Sequence, residues 1–203
     1  MQGELVIPDR AQAIVIFSHG SGSSRHSLRN LKVAEYLQQR NMGTLLFDLL
    51  TEEEDRVYAN RFDIELLTNR LIIATEWLCR QPAVKNVPVC YFGASTGAAS
   101  ALKAAARKPG IAAVVSRGGR PDLAAETLPE VKSPTLLIVG SRDFDVLKLN
   151  RQAYDTMACR KRLAVVEGAT HLFEETGAMD RVCQLAAEWF EEQLQLLVVS
   201  KMK

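Results

Sequence analysis

The chain lacks the features that would mark a disulfide-stapled, metal-bound, nucleic-acid-binding or membrane-spanning protein. Its four cysteines, Cys79, Cys90, Cys159 and Cys183, are scattered along 203 residues with no CxxC pair. That spacing fits neither a zinc site nor a disulfide framework, and free, mostly buried thiols in a reducing compartment are expected. Neither sign of charge is in excess, since 25 basic side chains against 24 acidic ones leave +1. Binding a phosphate backbone needs a basic surplus or patch, so nucleic acid is not an expected partner. No apolar run approaches the roughly 20 residues of a spanning helix. The start, Met1-Gln2-Gly3-Glu4-Leu5, is not a basic leader before a long apolar stretch. A cytoplasmic protein without membrane contact is expected. Internal repeats, low-complexity tracts and linkers are also missing, so residues 1–203 are expected to form one domain with a substantial core.

What the sequence does have is a rhythm. Short runs rich in Val, Ile, Leu and Phe, at 4–7, 13–18, 44–47, 87–92, 112–116, 135–139 and 163–166, alternate with longer amphipathic stretches. The runs are continuously apolar, as strands buried on both faces are. The stretches at 28–39, 62–80, 96–107, 146–158 and 178–198 carry helical periodicity. In the second, Phe62, Leu66, Leu67, Leu71, Ala74 and Leu78 are expected to make one apolar face. The alternation predicts an α/β fold, a mostly parallel central sheet with helices on both faces. The acidic run Glu52-Glu53-Glu54-Asp55 and the basic run Arg160-Lys161-Arg162 read as solvated loop and helix-end charge. The apolar tail at 194–199 is expected to pack on the body or on a partner chain, in a monomer or homodimer.

The chemistry concentrates where strands end. The fourth run leads into Gly93-Ala94-Ser95-Thr96-Gly97, a G-x-S-x-G segment, and then into a helix of small residues. Such a turn is tight enough to require small residues two before and two after the serine. It leaves Ser95 exposed at a helix N-terminus, where developing negative charge is favoured. A nucleophilic serine needs a base, and the base needs an orienting acid. The run at 135–139 is followed by Gly140-Ser141-Arg142-Asp143, and the run at 163–166 by Gly168-Ala169-Thr170-His171. His171 alone of three histidines lies downstream of Ser95. Asp143 is preferred over Asp145, which has an alternative use as a helix cap. Backbone donors for an oxyanion are expected from Thr96 and from Ser21 in the small-residue loop His19-Gly20-Ser21-Gly22-Ser23-Ser24. His19 reads as a brace for that loop. After the fifth run, Arg117 and Arg120 flank two glycines and could bind an anionic substrate group, or could pair with local acids such as Asp122. Arg25 and Arg142 stand in neighbouring loops.

Taken together, His19-Gly20, Gly93 to Gly97, Gly140 to Asp143 and Gly168 to His171 resemble the α/β-hydrolase superfamily over essentially the whole chain. The absence of a long insertion between 112 and 135 resembles the compact, lidless dienelactone-hydrolase-like group. That group's archetype has a cysteine nucleophile where this chain has Ser95. The segments at 20–27 and 116–123 resemble a bacterial subgroup of small hydrolases, some relatives of which are fused to phosphoribosyltransferase domains. The resemblance implies a cytoplasmic enzyme acting on a small-molecule ester, with no metal or organic cofactor. The same three residues would also serve a thioesterase or an acyltransferase. A non-catalytic ligand-binding protein on the same fold is the remaining alternative.

Overall fold

Seven apolar runs form strands, β1 (Gly3–Val6), β2 (Ala13–Ser18), β3 (Met42–Phe47), β4 (Val89–Ala94), β5 (Val114–Arg117), β6 (Thr135–Gly140) and β7 (Lys161–Val166). A computed structural model describes residues 2–201. The strands make one sheet in the order β1-β3-β2-β4-β5-β6-β7. The short β1 runs antiparallel to β3, and the other five pairings are parallel. The helices are α1 (Leu28–Gln38), α2 (Glu52–Asp55), α3 (Ile64–Cys79), α4 (Thr96–Arg107), α5 (Phe144–Thr156) and α6 (Ala178–Lys201).

Two cores follow from the two-residue period of the strands. In β2, Val15 and Phe17 point to one side, where they meet Val33 and Leu37 of α1 and Trp189 and Phe190 of α6. Ile14 and Ile16 point to the other, toward Leu71 and Leu78 of α3 and Leu102 of α4. Burying each such large side chain contributes about 1.5–3 kcal/mol. Because β2 and β4 to β7 are all parallel, their carboxyl ends share one edge of the sheet, the edge at which open α/β sheets bind ligands.

Departures from expectation have local causes. Asp63 caps α3 by accepting from the Leu66 N–H at 2.9 Å, so the helix starts at Ile64. Phe62 is left in the preceding 3-10 turn, 44% exposed and outside the apolar face. The acidic run is not a loop. Thr51 and Glu54 form a reciprocal capping box that starts α2. Glu54 also pairs with Arg70, and Asp55 with Arg61 at 2.8 Å. In the basic run, Lys161 and Arg162 belong to β7. Arg160 and Arg162 reach Glu192 on α6, and Lys161 Nζ donates to the carbonyls of Tyr154 and Met157. Pro121–Glu130 winds as 3-10 helix against α4 and α5, and no lid is present among the described residues. The apolar tail continues α6; Leu194 is buried, while Leu196, Val198 and Val199 are exposed. Among the described residues, no helix is long and apolar enough to cross a membrane.

Candidate active site

Strand β4 ends at Ala94 and α4 begins at Thr96, so Ser95 alone makes the reversal. It does so at φ 52° and ψ −121°, a conformation that costs a residue with a Cβ about 1–3 kcal/mol. The surroundings hold it there. Ser95 N–H donates to the Arg117 carbonyl at 3.2 Å, and Ser95 O accepts from Ala98 and Arg120 N–H groups, both at 3.1 Å. A Cβ on Gly93 would lie 2.5 Å from Ala98 Cα, and one on Gly97 would strike the carbonyl oxygens of Ser18 and His19. Both flanking positions therefore require glycine, and the crowding brings the loop after β2 against the elbow.

Asp143 occupies the N-cap position of α5 but makes no capping bond. Its carboxylate instead accepts from His171 Nδ1–H at 2.6 Å, with the Asp143 side chain only 13% exposed. This bond orients the ring so that Nδ1 is engaged by Asp143 and Nε2 is left free. Asp145, one residue into α5, is exposed and caps nothing. The loop carrying His171 is pinned by Glu175, which accepts from Thr170 N–H at 3.0 Å and Thr170 Oγ1 at 2.6 Å. Beneath the ring lies Gly118 at φ +51°, where a Cβ would sit 3.5 Å from His171 Nδ1. Ser95 and His171 line one cavity of about 250 Å³, with Gly20, Ser21 and Arg117 also in its wall.

The structure places the remaining candidates differently from one another. Ser21 N–H, expected to face an oxyanion, donates to Thr96 Oγ1 at 2.8 Å and so ties its loop to the elbow. Thr96 opens α4, where a main-chain N–H has no acceptor within the helix. Arg120 forks onto Asp122, Nε to Oδ1 at 2.8 Å and Nη2 to Oδ2 at 2.7 Å, and is absent from the cavity wall. Of the two uses the sequence leaves open, Arg120 has the local one, because an acid two residues away captures it and not Arg117. Arg25 likewise binds Asp48. Arg117 alone of that loop turns inward. Missed in the sequence were Ser27, Arg29 and Asn30, from the cap and first turn of α1, which line the same cavity. The available signal was Ser27, a capping residue at the head of the helix that follows β2.

His19 uses both ring nitrogens. Nδ1–H donates to the Gly20 carbonyl, and Nε2 accepts from Leu49 N–H, both at 3.0 Å. Neither nitrogen is available to Ser95. Burial pushes its pKa below the usual histidine value, outweighing the Gly20 bond and the nearby Asp48 and Asp55 charges. Below about pH 6.5 the unfolded chain then takes up a proton that the native chain refuses, so stability falls as pH falls through that region. The native protein should therefore be less stable at pH 5 than at pH 7.5. Thermal melts of wild type and His19→Gln between pH 7.5 and 5 check this. The variant should be less stable at pH 7.5, with a shallower acid slope; an identical slope would remove His19 from the account.

A mostly parallel seven-strand sheet, with a strained serine after β4 and an imidazole–carboxylate pair from the loops after β7 and β6, defines an α/β-hydrolase. The model of the dienelactone hydrolase family matches residues 1–199, and the chain belongs to that family. It is 54% identical to a dienelactone hydrolase from Anabaena variabilis, whose crystal structure superposes with a TM-score of 0.91 over 94% of this chain and 90% of that one. Est1E from Butyrivibrio proteoclasticus has the same fold at 14% identity, with a TM-score of 0.81 over 95% of this chain and 94% of that one. A protein of Mycobacterium tuberculosis, provisionally named a phosphoribosyl transferase, is 56% identical over 193 residues. The match spans 95% of this chain but only 44% of that relative.

Proposed function

We propose that this chain is a serine hydrolase that cleaves a small carboxylic ester through an acyl-enzyme on Ser95. The observation that carries this reading is the 2.6 Å bond between His171 Nδ1 and Asp143, in a cavity whose wall includes the strained Ser95. Ser95 Oγ attacks the carbonyl carbon and passes its proton to His171 Nε2, while Asp143 steadies the imidazolium. The tetrahedral intermediate collapses, the bond to the leaving oxygen breaks, and His171 protonates the departing alcohol. Water then repeats the sequence: His171 takes its proton, hydroxide adds to the acyl carbon, and the acid leaves as Ser95 regains its proton. The Thr96 N–H is the first oxyanion donor. Ser21 N–H is the second, and it joins by exchanging Thr96 Oγ1 for the developing oxyanion. One such donor is worth about 3–4 kcal/mol in comparable sites. No metal or organic cofactor enters these steps.

Thioester hydrolysis and acyl transfer share the acyl-enzyme and differ only in leaving group or acceptor. Phosphoribosyl transfer is not carried over, because that name describes a protein of more than twice the matched length. A fluorophosphonate probe tests the proposal. Intact-mass analysis should find one adduct per chain, peptide mapping should place it on Ser95, and p-nitrophenyl ester turnover should stop in proportion. Absence of labelling, or labelling elsewhere with turnover intact, would favour a ligand-binding protein on the hydrolase fold.

A further inference from the structure

Among the described residues, Arg117 is a buried cation without a counter-ion. It is the last residue of β5, opposite Ala94 in the register, and is only 7% exposed. Its Nε has no hydrogen-bond partner, and the nearest aromatic face, Phe173, lies 5.9 Å from the guanidinium carbon. Burial and the neighbouring Arg29 lower its pKa to about 10, which still leaves it charged at neutral pH. A buried charge is ordinarily paired, because desolvating it alone is costly. Here the unpaired group faces the cavity that holds Ser95 and His171.

A second set of donors meets it from another element. Arg29 and Asn30, in the first turn of α1, line the same cavity. Arg29 gives Nη1 to Glu174 at 3.2 Å, but its Nε is buried and unpartnered. Asn30 is 2% exposed; its unpartnered amide oxygen is an acceptor and offers an anion nothing, and its main-chain N–H already donates to Ser27 Oγ at 3.4 Å, so the donors of this turn are Arg29 and the N–H groups ahead of Asn30. The first turn of a helix adds main-chain N–H groups without intrahelical acceptors and the positive end of the dipole. Two guanidinium groups and a helix N-terminus thus converge on one small space.

We propose that this wall is a subsite for a phosphate monoester group carried by the substrate, which holds the scissile ester at Ser95. The assignment rests on the serine-hydrolase reading above and names its substrate class. A phosphate fits the donors better than a carboxylate does. Its tetrahedral oxygens can meet groups arriving from both β5 and α1, and its charge can draw on Arg117, which is unpaired, and on Arg29, whose contact with Glu174 is exposed to solvent. A planar carboxylate would occupy one guanidinium fork and leave the α1 donors unused. The cavity is small, about 250 Å³, so the acyl and linking parts of the substrate must be compact or extend into solvent.

The test uses the full chain carrying Ser95→Ala, so that binding is read without turnover. Calorimetric titration with phenyl phosphate, benzoate and benzyl alcohol should show phenyl phosphate binding at least tenfold more tightly than benzoate, with benzyl alcohol not detected. Adding Arg117→Gln should weaken phenyl phosphate about ten- to a hundredfold, the range for losing a charge-assisted contact. Arg29→Gln should weaken it severalfold, and Arg120→Gln, whose side chain is held by Asp122, should leave it unchanged. Benzoate binding as tightly as phenyl phosphate would overturn the proposal, as would unchanged affinity in a folded Arg117→Gln protein. Should Arg117→Gln fail to fold, unchanged affinity in Arg29→Gln, a half-exposed site, overturns it instead. Phosphate binding without fluorophosphonate labelling of Ser95 would keep the subsite and discard the hydrolase reading; labelling without phosphate binding would do the reverse.

Discussion

Ser95→Ala should lower kcat for any ester substrate by about 10⁶, the loss seen when the nucleophile of a comparable triad is removed. The protein should remain folded. Alanine carries the same Cβ into the same φ 52° backbone, so the strain at the elbow is unchanged. The hydrogen bonds that hold the turn are made by main-chain groups of residue 95. Among the described residues the Ser95 hydroxyl makes no hydrogen bond, so its loss strands no partner. Steady-state kinetics with p-nitrophenyl esters, alongside a thermal melt, check both halves. His171→Ala should cost nearly as much, and the double variant little more than either, because the groups act as a unit. Additive losses, or residual turnover of more than a few per cent in a folded Ser95→Ala protein, would mean that another group carries the chemistry.

The second large effect belongs to the acid. Asp143→Asn should cost about 10⁴ in kcat, since an amide donating to Nδ1 would leave the proton on Nε2 and abolish the base. The side chain is 13% exposed, so little water can relieve the wrong tautomer. Stability should change little at the helix, because Asp143 stands at the N-cap of α5 without capping it. Asp145→Asn, at an exposed position in the first turn, should retain near wild-type turnover. Kinetics on the two variants side by side decide the matter, and the reverse ranking would transfer the acid's role to Asp145.

Much of this arrangement is legible in the amino-acid sequence. Strands buried on both faces write continuous apolar runs, and all seven were readable within a few residues. The tight G-x-S-x-G turn, the acid loop and the histidine loop each follow a strand, and parallel strands carry their ends to one edge. What the sequence left hidden depends on where long side chains go. Arg117 and Arg120 look alike in the chain, yet Asp122 captures one and burial isolates the other. The Ser21 N–H bond to Thr96 Oγ1 joins residues 75 apart, and no local pattern announces it. Arg29 and Asn30 fall inside an ordinary helical pattern, and the direction in which α1 points its first turn is set by packing. Periodicity places Phe62 on the helical face, but the cap at Asp63 starts the helix after it.

The open sheet also has consequences for how molecules behave toward one another. It ends at β1 on one side and β7 on the other, and a terminal strand offers unpaired main-chain groups to any passing chain. The first of these strands is only four residues long, which limits the area it can offer. The second is six residues long and exposes Val165 by 43%, so it is the more adhesive of the two. Its opening residues are the ones that defend it. Lys161 folds back onto the carbonyls of Tyr154 and Met157, and Arg162 is held beside it by Glu192. A chain approaching to extend the sheet would have to displace anchored cations before its first hydrogen bond formed. Anchored basic side chains at the start of β7 thus stand where an added strand would begin to pair.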